Sequence, residues 1–206
     1  MIKNTKSKIN IIFLTGKPAS GKDTQAEILS KKLGCEIITT SKEIKKFFNR
    51  YKKTYFYIGK VKININKQRK IIEKGRLASY RLVAYLILNI LKRKIKENKS
   101  LVFAGSPRSI YEAKLYINFL KSKKKVNYYF FYIKISDKTA IIRALNRKEN
   151  RADDAPLIIR KRLRVFKKEI KPMLDWLKKK KLLIEINGEK TPEEVNEEIM
   201  KYVKKL

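Results

Sequence analysis

The sequence predicts an α/β domain: a five-stranded parallel sheet flanked by helices in three α/β/α layers. Three observations carry this. Short runs rich in Ile, Val, Phe and Tyr recur at Ile9–Leu14, Glu36–Thr39, Ser100–Ala104, Asn127–Ile135 and Leu182–Ile186. Most do not alternate cleanly with polar residues, which is the pattern of strands covered on both faces. Stretches with helical spacing separate them, and such alternation implies parallel pairing through right-handed crossovers. A length of 206 residues with 43% hydrophobic content suits one such domain with a real core.

The first strand runs into Gly16–Thr24, GKPASGKDT, and then into a helical pattern over Lys22–Leu33. Gly16, Gly21 and Lys22 fit G-x-x-x-x-G-K. Alone, that is a glycine turn ahead of a helix. Between a strand and a helix it is the phosphate-binding loop of the P-loop NTPase folds. Phosphate oxygens need several backbone N–H donors aimed at one point, so the loop must pass close without Cβ atoms in the way. The helix behind adds a positive dipole end, and Lys22 reaches the β- and γ-phosphates. The hydroxyl usual directly after the lysine is missing. Asp23 stands there, with Thr24 one place later.

After the second strand, Lys42–Lys74 contains no strong strand, is basic, and reads as an inserted helical subdomain. Ser79–Glu97 follows as a helix with Leu82, Val83, Leu86, Ile90 and Leu91 on one broad face. The third strand ends in Gly105-Ser106-Pro107-Arg108. The carboxyl end of a parallel strand is where α/β sheets bind ligands, and Arg108 offers a planar fork matched to phosphate. A helix spans Ser109–Lys121. Lys138–Arg147 is helical after the fourth strand, with Arg143 and Arg147 at i, i+4 on one face. Lys148–Asp154 is a short polar segment holding Arg151, and Arg162 lies on the next helix. Lysine is the usual cation of this chain, yet these positions are arginine. Thr191-Pro192-Glu193-Glu194 carries a capping box with Pro at the first helical position, opening a closing helix to about Val203.

Composition removes several function classes. The single cysteine, Cys35, allows neither an internal disulfide nor a four-cysteine zinc site, and suits a reducing compartment. With no histidine, there is no imidazole base or metal ligand. The basic N-terminus is followed by an apolar run that lacks a cleavage pattern, so no signal peptide is read. Leu82–Leu91 is too short to cross a bilayer. A soluble, cytoplasmic chain with no membrane partner is expected. Lys plus Arg is 53 and Asp plus Glu is 19, a net charge of +34. That excess could serve nucleic-acid binding. Lys, Ile and Asn are abundant together throughout, however, and the preferred reading is compositional bias with weak, salt-sensitive adhesion to polyanions.

Lys22-Asp23-Thr24-Gln25-Ala26 resembles the nucleoside monophosphate kinase family, in which adenylate kinases follow the lysine with a small residue and Thr-Gln. The resemblance spans nearly the whole chain. Gly105-Ser106-Pro107-Arg108 is similar to the Gly-Phe-Pro-Arg element, whose arginine holds the acceptor phosphate. Arg143, Arg147, then Arg151-Ala152-Asp153-Asp154, then Arg160-Lys161-Arg162-Leu163 resemble the lid. It implies a single domain over 1–206, with a monophosphate-binding insertion over about 41–75 and a short lid over about 147–154, without structural zinc.

The activity implied is reversible transfer of the ATP γ-phosphoryl group to a nucleoside monophosphate, AMP first, by a monomer using Mg²⁺. The resemblance implies that Gly16, Ala19, Ser20, Gly21, Lys22, Asp23 and Thr24 hold ATP, with Thr24 nearest the metal. Arg143, Gly188 and Lys190 belong to the ATP side as well. Thr40, Lys45, Leu77, Gly105, Arg108 and Glu112 belong to the acceptor, and Arg151 and Arg162 close over it. Lys22, Arg108, Arg147, Arg151 and Arg162 form the catalytic set. Three departures stand out. Lys42 and Lys45 alter the acceptor helix. Ala104 replaces the acid that orients the magnesium water shell. Glu112 replaces the glutamine that reads adenine. An ionised carboxylate only accepts hydrogen bonds, so it favours the N–H groups of guanine. The rivals are therefore a GMP or pyrimidine monophosphate kinase, and a transfer-inactive, nucleotide-dependent module binding RNA or the ribosome.

Overall fold

A computed structural model describes residues 8–146 and 156–203. The five expected strands are β1 (Ile9–Gly16), β2 (Glu36–Thr39), β5 (Leu101–Ala104), β6 (Val126–Lys134) and β7 (Leu183–Asn187). They form one parallel sheet in the order β2-β5-β1-β6-β7. β1 is central, and Leu14 pairs with Ala104, so the carboxyl ends of β1 and β5 lie side by side. The chain leaves β1 towards one edge and later returns to fill the other, which opens a crevice at those ends.

The runs do not alternate because both faces of the sheet are covered. Ile11 and Phe13 face the core shared with α4 (Tyr80–Lys96), α5 (Ile110–Lys121) and α8 (Lys171–Lys179). Ile12 and Leu14 face α1 (Lys22–Leu33) and α9 (Pro192–Met200). Phe13 stacks on Phe103 and Phe130 with ring centroids 5.0 and 4.8 Å away. Behind β1, buried Gln25 of α1 donates to the Pro192 carbonyl at 2.7 Å and accepts from Asn196 at 3.2 Å, fixing α1 against α9. The capping box on Thr191 and Glu194 forms as read.

One expectation needs correction. Lys42–Lys74 is not wholly helical. Between α2 (Thr40–Arg50) and α3 (Ile65–Glu73) it folds an antiparallel hairpin, β3 (Tyr55–Ile58) and β4 (Val61–Asn64). Gly59, with φ 57°, turns the two-residue tip. Tyr55 and Tyr57 face outward while Phe56 and Ile63 pack inward, an alternation that short runs with outward tyrosines conceal. After α7 (Pro156–Val165), the helix widens into one π turn over Phe166–Ile170 before α8. The Lys171 N–H bonds Phe166 O, five residues back, and Pro172 follows with no N–H to give.

Candidate active site

The phosphate loop leaves β1 at Gly16 and enters α1 through Gly21, whose φ of 86° is left-handed. Ala19 also has a positive φ, 59°, a conformation that disfavours side chains. Gly16 is a glycine for want of space: a Cβ there would collide with the Ser20 hydroxyl and sit 2.9 Å from Ile133 O. Ser20 is buried, and its Oγ has no hydrogen-bond partner among the described residues. Lys17, unassigned by sequence, anchors the loop from below. Its Nζ donates to Ile135 O at 2.7 Å and pairs with Asp137 at 2.6 Å. Asp137 opens α6 (Asp137–Leu145) and also pairs with Lys167 of the π turn at 2.6 Å. Hydrogen bonds from Lys167 and then Lys17 hold its carboxyl below the usual range.

Across the crevice, β5 ends in Gly105, with φ 85°, followed by a cis Ser106–Pro107 bond and Arg108. The Arg108 Nε donates to Gly105 O at 2.6 Å, which folds the guanidinium back over the glycine. A Cβ on Gly105 would lie 3.1 Å from Arg108 Nη2 and 3.8 Å from Lys22 Cε. The two cations foreseen on separate motifs thus meet at one α-carbon. Burial lowers the Arg108 pKa; Glu112 and Asp23 oppose this, and the charge of Arg162 adds to it. Lys22, Asp23, Gly105, Arg108, Glu112 and Arg162 therefore share one neighbourhood, though they come from α1, the β5 loop, α5 and α7.

Glu112 lies behind the Ser106–Arg108 loop. It is 1% exposed in the first turn of α5. Oε2 accepts from the Arg108 backbone N–H at 3.1 Å, and from the Ser106 and Tyr116 hydroxyls at 3.4 and 3.5 Å. Oε1 accepts from the Ser109 hydroxyl at 3.2 Å, while Ser109 Oγ caps the Glu112 N–H. Burial raises its pKa to about 7 against the pull of Arg108. The signal was legible as Ser-x-x-Glu at Ser109–Glu112, a helix-start pattern.

Beside Arg108 a groove opens between α2 and α3. One part, about 240 Å³, is lined by Ile44, Phe48, Ile72 and Ala78, with Lys45, Arg69 and Arg76 among its cations. An adjoining cavity of about 390 Å³ is bordered by Leu77, Tyr80, Glu112 and Glu169. Thr40, the first residue of α2, is fully buried, and its Oγ1 has no hydrogen-bond partner among the described residues. Arg69 was not foreseen; it donates to the carbonyls of Phe48 and Tyr51, joining α3 to the end of α2. On the other flank, Arg143 of α6 donates to Gly188 O at 2.8 Å and Glu189 O at 3.3 Å, uniting two predicted positions. Gly188 admits no side chain, since a Cβ would sit 2.6 Å from Ile133 Cγ2. Lys190 is exposed and lies 3.7 Å from Glu198. Arg147, Arg151 and the lid over 147–154 fall outside the described residues.

A family model described as adenylate kinase matches residues 14–182, most of the chain, from the end of β1 through α8. The chain belongs to the adenylate kinase family. It is 29% identical to an adenylate kinase of Azobacteroides pseudotrichonymphae over 95% of this chain and 97% of the relative. An adenylate kinase of Buchnera aphidicola is 30% identical, covering 92% of this chain and 94% of the relative. One of Encephalitozoon cuniculi is 28% identical over 95% and 99%. As a member of this adenylate kinase family the chain is a phosphotransferase for nucleoside monophosphates, which favours transfer over the nucleotide-dependent binding module. Adenylate kinases use Mg²⁺ with ATP. The Thr24 hydroxyl is exposed on the first turn of α1, and the Asp23 carboxylate lies 3.5 Å from Lys22 Nζ. β5 supplies no oxygen ligand at Ala104. Among the described residues no group of three or more His, Cys, Asp or Glu could hold a metal ion. Two oxygen donors fit an ion that arrives on the nucleotide and keeps most of its waters.

Proposed function

We propose that this chain transfers the γ-phosphoryl group of Mg-ATP reversibly to AMP, giving two ADP, and acts as a cytoplasmic monomer. The observation that carries this reading is the approach of Lys22 and Arg108 to Gly105 from opposite motifs. In it, the loop residues Gly16, Ala19, Ser20 and Gly21 cradle the ATP phosphates with Lys22, beside Asp23 and Thr24. Arg143, Gly188 and Lys190 bound the adenine of ATP. Arg108 and Lys45 hold the acceptor phosphate. Its base lies against the apolar wall of Ile44, Phe48, Ile72 and Ala78, near Thr40 and Leu77, with Gly105 giving the phosphate room. The named adenylate kinases and this apolar wall support AMP.

An acceptor phosphate oxygen bonds to the γ-phosphorus as its bond to the bridging oxygen breaks and ADP departs. No covalent enzyme intermediate is needed, since positioning and charge stabilisation carry phosphoryl transfer. Asp23 and Thr24 would hold Mg²⁺ arriving with the nucleotide, which would supply charge neutralisation at the phosphates. Arg162, whose charge is felt at Arg108, faces the migrating group. Arg147 and Arg151 join it on the resemblance alone. Cys35 is a buried free thiol, which suits a reducing compartment. Among the described residues no helix is long and apolar enough to cross a membrane.

A coupled assay with Mg-ATP against AMP, GMP, CMP and UMP tests the acceptor. The highest kcat/KM is expected for AMP, and another monophosphate in the lead overturns that choice. Ala104 adds a second test. It is 2% exposed, so Ala104→Asp puts a carboxylate at a buried strand end, at a stability cost on the order of several kcal/mol where no cation meets it. The Mg²⁺ concentration for half-maximal rate is expected to fall several-fold. Superimposable magnesium titrations would show that the missing acid has no consequence.

A further inference from the structure

We infer that Glu112 is a positioning residue: its carboxylate holds the Ser106–Arg108 loop so that Arg108 meets the acceptor phosphate, and does not read the acceptor base. The inference rests on the reading of Arg108 as the acceptor-phosphate ligand. Three observations carry it. Both carboxylate oxygens are committed within the loop and α5, to one backbone N–H and three hydroxyls. The N–H is that of Arg108, so one bond fixes the backbone from which the guanidinium springs. The second anchor of that guanidinium, Gly105 O, is at the other end of the same loop.

Electrostatics give the same assignment. Glu112 offsets part of the cost of burying Arg108 beside the like charge of Arg162. The charged and titratable groups facing it are Arg108 on the loop, Tyr116 one turn along α5, and Arg76 and Glu169 across the cavity. A neutral glutamine keeps one acceptor oxygen for Arg108 N–H but provides no counter-charge. It also turns an NH₂ donor towards hydroxyls that now donate to a carboxylate. The carboxylate at this position thus belongs to a site whose other nearby groups are mostly cations.

The test compares wild type, Glu112→Gln, Arg108→Ala and the double variant in kcat and KM for AMP, GMP and ATP. Glu112→Gln is expected to raise KM for AMP and GMP together by about tenfold, the loss of one charge-assisted contact, with KM for ATP within about twofold. In the Arg108→Ala background it should change neither acceptor KM further, because its effect acts through that side chain. An altered AMP-to-GMP ratio of kcat/KM means that Glu112 reads the base, and overturns the inference. Equal effects of Glu112→Gln with and without Arg108 also overturn it. Unchanged acceptor KM in Arg108→Ala instead rejects the underlying reading of Arg108.

A pH series excludes a merely structural role. In wild type, KM for AMP should rise as pH falls through about 7, where Glu112 takes up a proton. The second ionisation of the substrate phosphate, near pH 6, acts on both proteins. The rise near 7 should therefore be absent from Glu112→Gln, and parallel profiles would sink the inference.

Discussion

Lys22→Ala is expected to lower phosphoryl transfer by about 10²–10³-fold, the scale for removing a donor aimed at developing transition-state charge. The fold should survive. Lys22 sits at the first turn of α1 with its amino group 3.5 Å from Asp23, and its side chain is 17% exposed. It belongs to none of the hydrophobic clusters. The stability change should stay within about 1 kcal/mol. Rate and thermal melting measured on one preparation separate the two effects. Near-native turnover in a folded variant would remove Lys22 from the phosphate site, and with it the reading of Gly16–Thr24.

Arg108→Ala should act on the other substrate. Losing a planar fork that binds phosphate through charge-assisted hydrogen bonds is expected to raise KM for the monophosphate by about 10–100-fold. KM for ATP should be largely spared, because the loop, Lys22 and α1 remain. Arg108→Lys should fall between wild type and alanine, since an ammonium keeps the charge but not the fork. Initial rates with each substrate varied at saturation of the other give the split. Equal increases in both KM values would mean that Arg108 spans donor and acceptor rather than serving the acceptor.

Local chemistry made much of the site legible. Gly21 must adopt a positive φ ahead of a helix, and a strand–glycine–lysine–helix order has few other uses. Arg108 was legible because Gly105 permits a positive φ at a strand end and Pro107 then fixes the backbone ahead of it. The hairpin was not, because Tyr55–Ile58 and Val61–Asn64 are four residues each, and the outward positions of the first are tyrosines, so YFYI reads as uniformly apolar. Lys17 was also illegible. Its partners, Ile135 O and Asp137, lie far along the chain, and nothing near position 17 announces them.

Periodicity and motif spacing alone determined the five parallel strands, the glycine–lysine loop between β1 and α1, an arginine just past the end of β5, and the family they indicate. Those features depend on neighbours a few residues apart, whose sterics and hydrogen bonding are written in consecutive letters. Tertiary structure alone decided that Lys22 and Arg108 meet at Gly105, and that Arg143 joins Gly188. It also decided that Glu112 turns its carboxylate onto the Arg108 loop. Each of these depends on which strand ends lie side by side and on how far a side chain is withdrawn from water. The strand order β2-β5-β1-β6-β7 sets both. A glutamate in the first turn of a helix is the same letter whether it faces solvent, a base or a backbone N–H. Burial against Ser106, Arg108 and Tyr116 selects among them, because a desolvated carboxylate must find its donors within reach.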